Sequence, residues 1–176
     1  NYVHRKGIYQ FLNILNESED RLFMLLNFIL LTGLFTLIYY FCPMLNQLQD
    51  YIEQHELFRP ADTILLAVSG GVDSMVMAEL FNRAGYNFAL AHCNFGLRGT
   101  ESNQDEAFVA SVAEAYKVQF FVKQFKTREY AGFNKISVQM AARTLRYEWF
   151  EELLHTEGFK ALATAHHLDD QIETFF

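Results

Sequence analysis

The sequence predicts an α/β fold, a parallel sheet covered by helices on both faces, and three observations lead there. From Met44 onward short apolar runs alternate with stretches whose apolar residues recur at helical spacing. The runs are apolar at nearly every position, as in strands buried on both faces. One of them, Thr63 to Leu66, leads through Ser69-Gly70-Gly71-Val72-Asp73-Ser74 into a helical stripe, the strand–turn–helix unit from which such sheets are assembled.

The elements follow in order. Residues 1–43 are balanced in charge and contain Leu22–Cys42, 21 residues without a charge. As a helix that run is about 31 Å long, enough to cross a hydrocarbon core of about 30 Å. Its flanks give no orientation, since Arg5, Lys6 and Arg21 compete with Glu17, Glu19 and Asp20. No small-residue cleavage site follows it. The alternative, preferred here, is a translation start at Met44, because Pro43 breaks the pattern just before it and an amphipathic helix opens there. Residues 1–43 are then a non-catalytic extension, and 44–176 form the α/β domain.

Leu45, Leu48 and Ile52 make the stripe of that first helix, which Arg59-Pro60-Ala61-Asp62 ends. Thr63 to Leu66 read as a strand. Val76, Met77, Leu80, Phe81 and Ala84 mark a helix starting near Asp73, and Gly85 breaks it. Asn87 to Cys93 form a second strand. Phe108, Val109, Val112, Ala113 and Tyr116 are the face of a helix over residues 103–116. Val118 to Val122 make a third strand. Ser137 is placed to cap a long helix reaching about His155, with Ala141, Leu145, Trp149 and Leu153 on one side. Gly158 closes it, Lys160 to Ala165 form a fourth strand, and Asp169 opens a last helix.

Charge narrows the partners. The net charge is −7, and all of it falls after residue 43. That argues against nonspecific nucleic-acid binding by the chain as a whole. One stretch reverses the sign: Lys123, Lys126, Arg128, Lys135, Arg143 and Arg146 stand against the single acid Glu129. The two cysteines, Cys42 and Cys93, have neither metal spacing nor a disulfide framework and suit a reducing cytoplasm.

The chemistry gathers where strands end. Gly70 and Gly71 allow positive φ and let a ligand approach the backbone. The first N–H groups of the following helix lack internal partners and carry about half a positive charge. With two hydroxyls beside them they form an anion cradle, and phosphate is the usual occupant. A glycine turn capped by Ser69 or Asp73 is the plain alternative. No lysine follows the glycines as in the Walker loop, and G-x-G-x-x-G is absent.

After the second strand, His92 and Asn94 alternate so as to face a nucleotide together, and Arg98 is placed to meet a phosphate. Arg143 and Arg146 share a helix face, and an anion between them would relieve their repulsion. Asp169 and Glu173 stand one turn apart, suited to Mg²⁺ or a general base with Asp73 opposite, unless one of them only caps the helix. The adjacent His166 and His167 lack zinc spacing.

Ser69-Gly70-Gly71-Val72-Asp73-Ser74 resembles the PP-loop of the ATP pyrophosphatases, which cleave ATP between its α and β phosphates. The segments AHCNFGLRG, QMAARTLRYEWF and TAHHLDDQIETF follow in the same order as in the tRNA(Ile)-lysidine synthetases, and the similarity runs from Met44 to Phe176. The resemblance implies a Rossmann-like domain of the adenine nucleotide alpha hydrolase kind, truncated before its last strand and without the C-terminal regions that grip tRNA. It implies an ATP-dependent ligase using Mg²⁺ and free lysine on tRNA(Ile) with a CAU anticodon. There the C2 oxygen of the first anticodon cytidine attacks the α-phosphate, pyrophosphate leaves, and the lysine ε-amine displaces AMP.

By that resemblance Ser69, Gly70, Gly71, Val72, Asp73 and Ser74 hold phosphates. His92, Asn94 and Arg98 line the nucleotide site, Asp73 and Asp169 hold the metal, and Asp73, Arg143, Asp169 and Asp170 carry the chemistry. A cytoplasmic enzyme of this kind needs no membrane anchor. The alternatives are another PP-loop ligase or amidotransferase acting on a small molecule, and a membrane-tethered nucleotide-binding module without catalysis. The truncated chain alone is expected to bind ATP weakly and leave tRNA unmodified.

Overall fold

The computed structural model describes residues 43–165. The apolar segment 22–42, and residues 166–176 with Asp169, Asp170, Glu173 and the last expected helix, lie outside the described residues. Two compact units divide the chain, Asn1–Asn46 and Gln47–Phe176, and the sheet belongs to the second.

Helix α1 covers residues 43–54. Then come β1 (Thr63–Ala67), α2 (Val72–Ala84), β2 (Asn87–Asn94), α3 (Thr100–Tyr116), β3 (Phe120–Gln124), α4 (Thr127–Asn134), α5 (Val138–Glu157) and β4 (Ala161–Thr164). The strands lie in the order β3-β2-β1-β4, each pair parallel. Ile64 pairs with Phe88 on one side of β1 and with Ala161 on the other.

Both faces of β1 are apolar because both are covered. Ile64, Leu66 and Val68 pack with Phe88 and Leu90 against Ala78 and Phe81 of α2 and Val109 and Ala113 of α3. Leu48 of α1 joins that layer. Leu65, Ala89 and Ala91 face the other way, onto Trp149, Phe150 and Leu153 of α5. Leu65 and Leu66 are fully buried, so truncating either to alanine costs about 2–5 kcal/mol. This is the α/β sandwich expected from the alternating pattern.

Several helix ends follow the expected chemistry. Gly85, at φ 72°, closes α2 in the left-handed conformation, and Gly158, at φ 74°, closes α5. The Ser137 hydroxyl accepts the Met140 N–H at 3.1 Å and caps α5. Elsewhere the elements differ from the sequence reading. α1 stops at residue 54, and Glu56 turns left-handed at φ 48°, before Arg59 and Pro60 are reached. β3 begins at Phe120, not Val118, because Lys117 at φ 57° and the bond from Val118 N–H to Ala113 O still belong to the end of α3. α4 has no counterpart in the sequence reading: only Thr127 and Ala131 of its eight residues are buried, too few for an apolar period. No helix among the described residues is long and apolar enough to cross a membrane.

Candidate functional site

Parallel strands bring their carboxyl ends to one edge, where ligands of open α/β sheets bind. There β1 runs into the Ser69–Ser74 loop. Gly71 is the N-cap of α2, at φ −75°, so only Gly70, at φ 89°, uses the left-handed freedom expected of both glycines. A Cβ on Gly70 would also sit 3.5 Å from the Asp105 Cβ of α3.

The loop's hydroxyls tie it to itself. Ser74 Oγ is buried; it donates to Gly71 O at 2.8 Å and accepts the Ser69 N–H at 3.2 Å. Ser69 Oγ accepts the Gly71 N–H at 3.2 Å and lies 3.3 Å from Ser74 Oγ. The first bond of α2 runs from Met75 N–H to Gly71 O. The N–H groups of Val72, Asp73 and Ser74 precede it and have no acceptor within the helix. Neither Ser69 nor Asp73 caps α2, so the plain capped-turn alternative does not describe this loop. The Val72 and Asp73 side chains are exposed. A turn tied by its own hydroxyls, N–H groups with no acceptor within the helix and a helix N-terminus together suit a polyanion.

His92 and Asn94 lie beneath and beside this loop. His92 is buried with Nδ1 2.9 Å from the Val68 carbonyl oxygen, one residue ahead of Ser69. Asn94 is buried and fully engaged. Its amide donates to Asn103 Oδ1 at 3.1 Å and Glu106 Oε2 at 2.7 Å, and its oxygen accepts the Gly96 N–H at 3.0 Å. Glu106 also accepts from Gln124 Nε2 at 3.0 Å, so one carboxylate joins the ends of β2 and β3 to α3.

A cavity of about 160 Å³ opens beside the loop, lined by Ser69, Ser74, Cys93, Phe95, Arg146 and Phe150 among others. Among the described residues Cys93 and Phe95, not His92 and Asn94, reach it. The alternation along β2 is as expected, but its phase turns the polar pair toward α3 and the odd-numbered residues toward α5. Arg98 is exposed in the loop before α3, its N–H 3.3 Å from Ser102 Oγ.

The two arginines of α5 part company. Arg146, one turn from both Ala142 and Phe150 of the buried stripe, enters the cavity with its guanidinium 5.4 Å from the Phe95 ring centre. Arg143 is exposed, 5.2 Å from the Tyr147 ring centre. Phe95 and Asp105 are thus site residues that the sequence reading did not single out, whereas Arg146 was expected there, paired with Arg143 about an anion. The period of α5 carried the signal for Arg146, whereas nothing local marked Asp105.

Burial pushes the Cys93 thiol up to about 12, against the pull of Arg146 and Lys123. A thiol protonated at neutral pH is a poor nucleophile. Among the described residues no group of three or more His, Cys, Asp or Glu could hold a metal. Asp73 is the loop's own carboxylate, and one or two carboxylates plus phosphate oxygens satisfy Mg²⁺.

Residues 43–176 match the PP-loop domain family. Among curated proteins, the tRNA(Ile)-lysidine synthase of Bacteroides thetaiotaomicron is 47% identical over 124 residues, 70% of this chain and 29% of that protein. That of Parabacteroides distasonis is 44% identical over 131 residues, 74% of this chain and 30% of the relative. That of Petrotoga mobilis is 41% identical over 128 residues, 70% and 41% of the respective lengths. The chain spans less than half the length of each.

Proposed function

The chain belongs to the PP-loop domain family, and from that premise we propose that the protein carrying it is a tRNA(Ile)-lysidine synthase. The observation that carries the proposal is the loop after β1: a left-handed Gly70, N–H groups of Val72, Asp73 and Ser74 with no acceptor within the helix, and an adjoining cavity that holds Arg146. It is built to grip the leaving pyrophosphate of ATP. Named relatives at 41–47% identity supply the RNA substrate of the reading.

In this reading the C2 oxygen of the first anticodon cytidine of tRNA(Ile), CAU, attacks the α-phosphorus of ATP, and the bond to pyrophosphate breaks. The ε-amine of free lysine then displaces AMP at C2. Ser69, Gly70, Gly71, Val72, Asp73 and Ser74 form the seat for the phosphates, with the N–H groups of Val72, Asp73 and Ser74 as its donors, and Arg146 offsets charge at the transition state. Asp73 holds Mg²⁺, with Asp169, outside the described residues, as its partner. The ion's contribution is to neutralise phosphate charge.

Arg143 meets the base or a phosphate, and Asp170 stands near the reacting groups. His92 and Asn94 serve the nucleotide site through the loop backbone and the end of β2. Arg98 is free to close on a phosphate. The cytoplasm is where such a reaction has its substrates.

The test uses the full-length protein with ATP, Mg²⁺ and labelled lysine, on tRNA(Ile) bearing CAU and on the same tRNA bearing UAU. Lysine in the first RNA only, with one pyrophosphate and one AMP released for each, is the expected result. ATP cleaved to AMP with no lysine in either RNA would point to a different substrate and sink the proposal.

A further inference from the structure

Because β3 and β4 are parallel, α5 between them runs back against the strands. Its first turns and the whole of α4 therefore stand at the carboxyl edge, beside the loop. There α4 turns Lys126, Glu129, Tyr130 and Phe133 toward a groove of about 550 Å³, walled by Phe125 after β3 and Leu145 of α5. Phe133 is 88% exposed, more than any other large apolar side chain among the described residues.

A stacked aromatic pair stands between the groove and the loop cavity. Phe125 stacks on Phe95 with ring centres 5.5 Å apart and planes 21° apart, and Phe95 lines the cavity with Arg146. One aromatic wall thus serves both spaces. The groove combines aromatic faces with a polar rim, since Lys126 and Glu129 form only an exposed 3.3 Å pair. It also lies in the stretch that carries six basic residues against one acid in a chain of net charge −7. Aromatic faces, polar edges and local positive charge are the requirements of an unpaired nucleotide.

We propose that this groove seats one unpaired base of the RNA loop, adjacent to the base presented to the cavity. Phe133 is its stacking partner, and Lys126 faces its phosphate. The inference rests on the RNA-modifying reading above and adds to it the place where the neighbouring nucleotide lies.

The experiment measures lysine incorporation and ATP affinity in the full-length protein and its Phe133→Ala, Phe133→Trp and Lys126→Ala variants. Stacking is worth about 1–3 kcal/mol per base, so Phe133→Ala is expected to raise KM for tRNA about tenfold. Its kcat and ATP affinity should stay within about twofold, and Phe133→Trp should restore KM. Lys126→Ala is expected to raise KM and flatten its salt dependence. An unchanged KM in Phe133→Ala overturns the proposal. So does a joint fall in melting temperature and ATP affinity, which would mean that other parts of the protein cover the groove. If the wild type modifies no tRNA, binding of a fluorescent anticodon stem-loop decides separately: weakening by Phe133→Ala sustains the groove, and equal binding removes it.

Discussion

The Ser69–Ser74 loop and the wall of α4 and α5 stand at the same edge of the sheet, with α5 lining the loop's cavity, and they are built by opposite means. The loop presents backbone. Its two hydroxyls bind inward, its glycine takes a left-handed turn, and its strand is paired on both sides. The wall presents side chains, with Arg146 in the cavity and Phe133, Met140 and Arg143 exposed on two helices. A phosphate is the same on every nucleotide and is met by fixed dipoles. Under the proposed function a particular RNA has to be told from others, and exposed side chains are suited to that.

If the loop acts through its backbone, its exposed carboxylate should matter to chemistry and not to folding. Asp73→Ala is expected to reduce lysine incorporation about a hundredfold or more. Its melting temperature should hold, because the carboxylate is exposed. A large fall in melting temperature would make Asp73 a structural part of the turn and blur the contrast.

His92 gives the opposite signature. Removing the ring leaves the buried Val68 carbonyl without its 2.9 Å partner, so His92→Ala should cost about 1–3 kcal/mol of stability. ATP affinity should fall with it as the loop loosens. Thermal melting and ATP titration of the same sample would check both.

Arg146 and Arg143 sharpen the wall itself. Arg146→Ala is expected to weaken ATP binding about tenfold, one charge-assisted bond, and Arg143→Ala to leave it within about twofold while weakening tRNA binding. Equal effects on ATP would mean that the exposed arginine also swings into the cavity.

The smallest effect lies away from the site, where Tyr116 donates to Glu79 Oε2 at 2.6 Å. Burial pushes Glu79 up, but the Tyr116 hydroxyl and Arg83 outweigh it and hold the carboxyl below 4.5. Burial and Glu79 together push the Tyr116 phenol from 10.0 to about 12. The carboxylate therefore adds stability above 4.5 that is lost as pH falls through its folded value. The phenol adds stability below 10.0 that is lost as pH climbs through about 12. Tyr116→Phe is expected to cost about 1 kcal/mol at pH 7, and less once Glu79 is protonated. Urea melts at pH 7 and again on the acid side of the folded Glu79 value would read the difference.

What could be read from the sequence divides along the same line. The loop was legible because strand, glycines and helix are consecutive, and the requirement is local. The sheet was legible because β1 and β2 are buried on both faces and have no polar alternation to confuse them. α4 was not, since it is held by two buried side chains and by packing on α5. The cavity lining was half legible: the AHCNFGLRG segment marked the end of β2, but its phase depends on which neighbour covers which face. Asp105 comes to Gly70 only through the crossing of α3 over the loop, a contact between residues far apart in sequence.

β1 has a further consequence, in time. Its first neighbour, β2, follows within about twenty-five residues, but its second, β4, pairs Ala161 with Ile64 across about a hundred. Closing so long a loop is slow. During synthesis one edge of β1 stays open until residues 161–164 have left the ribosome, and the phosphate loop hangs from a half-paired strand until then. Nucleotide should therefore bind late in folding, and a nascent chain ending before β4 would be both empty and prone to pair with another strand.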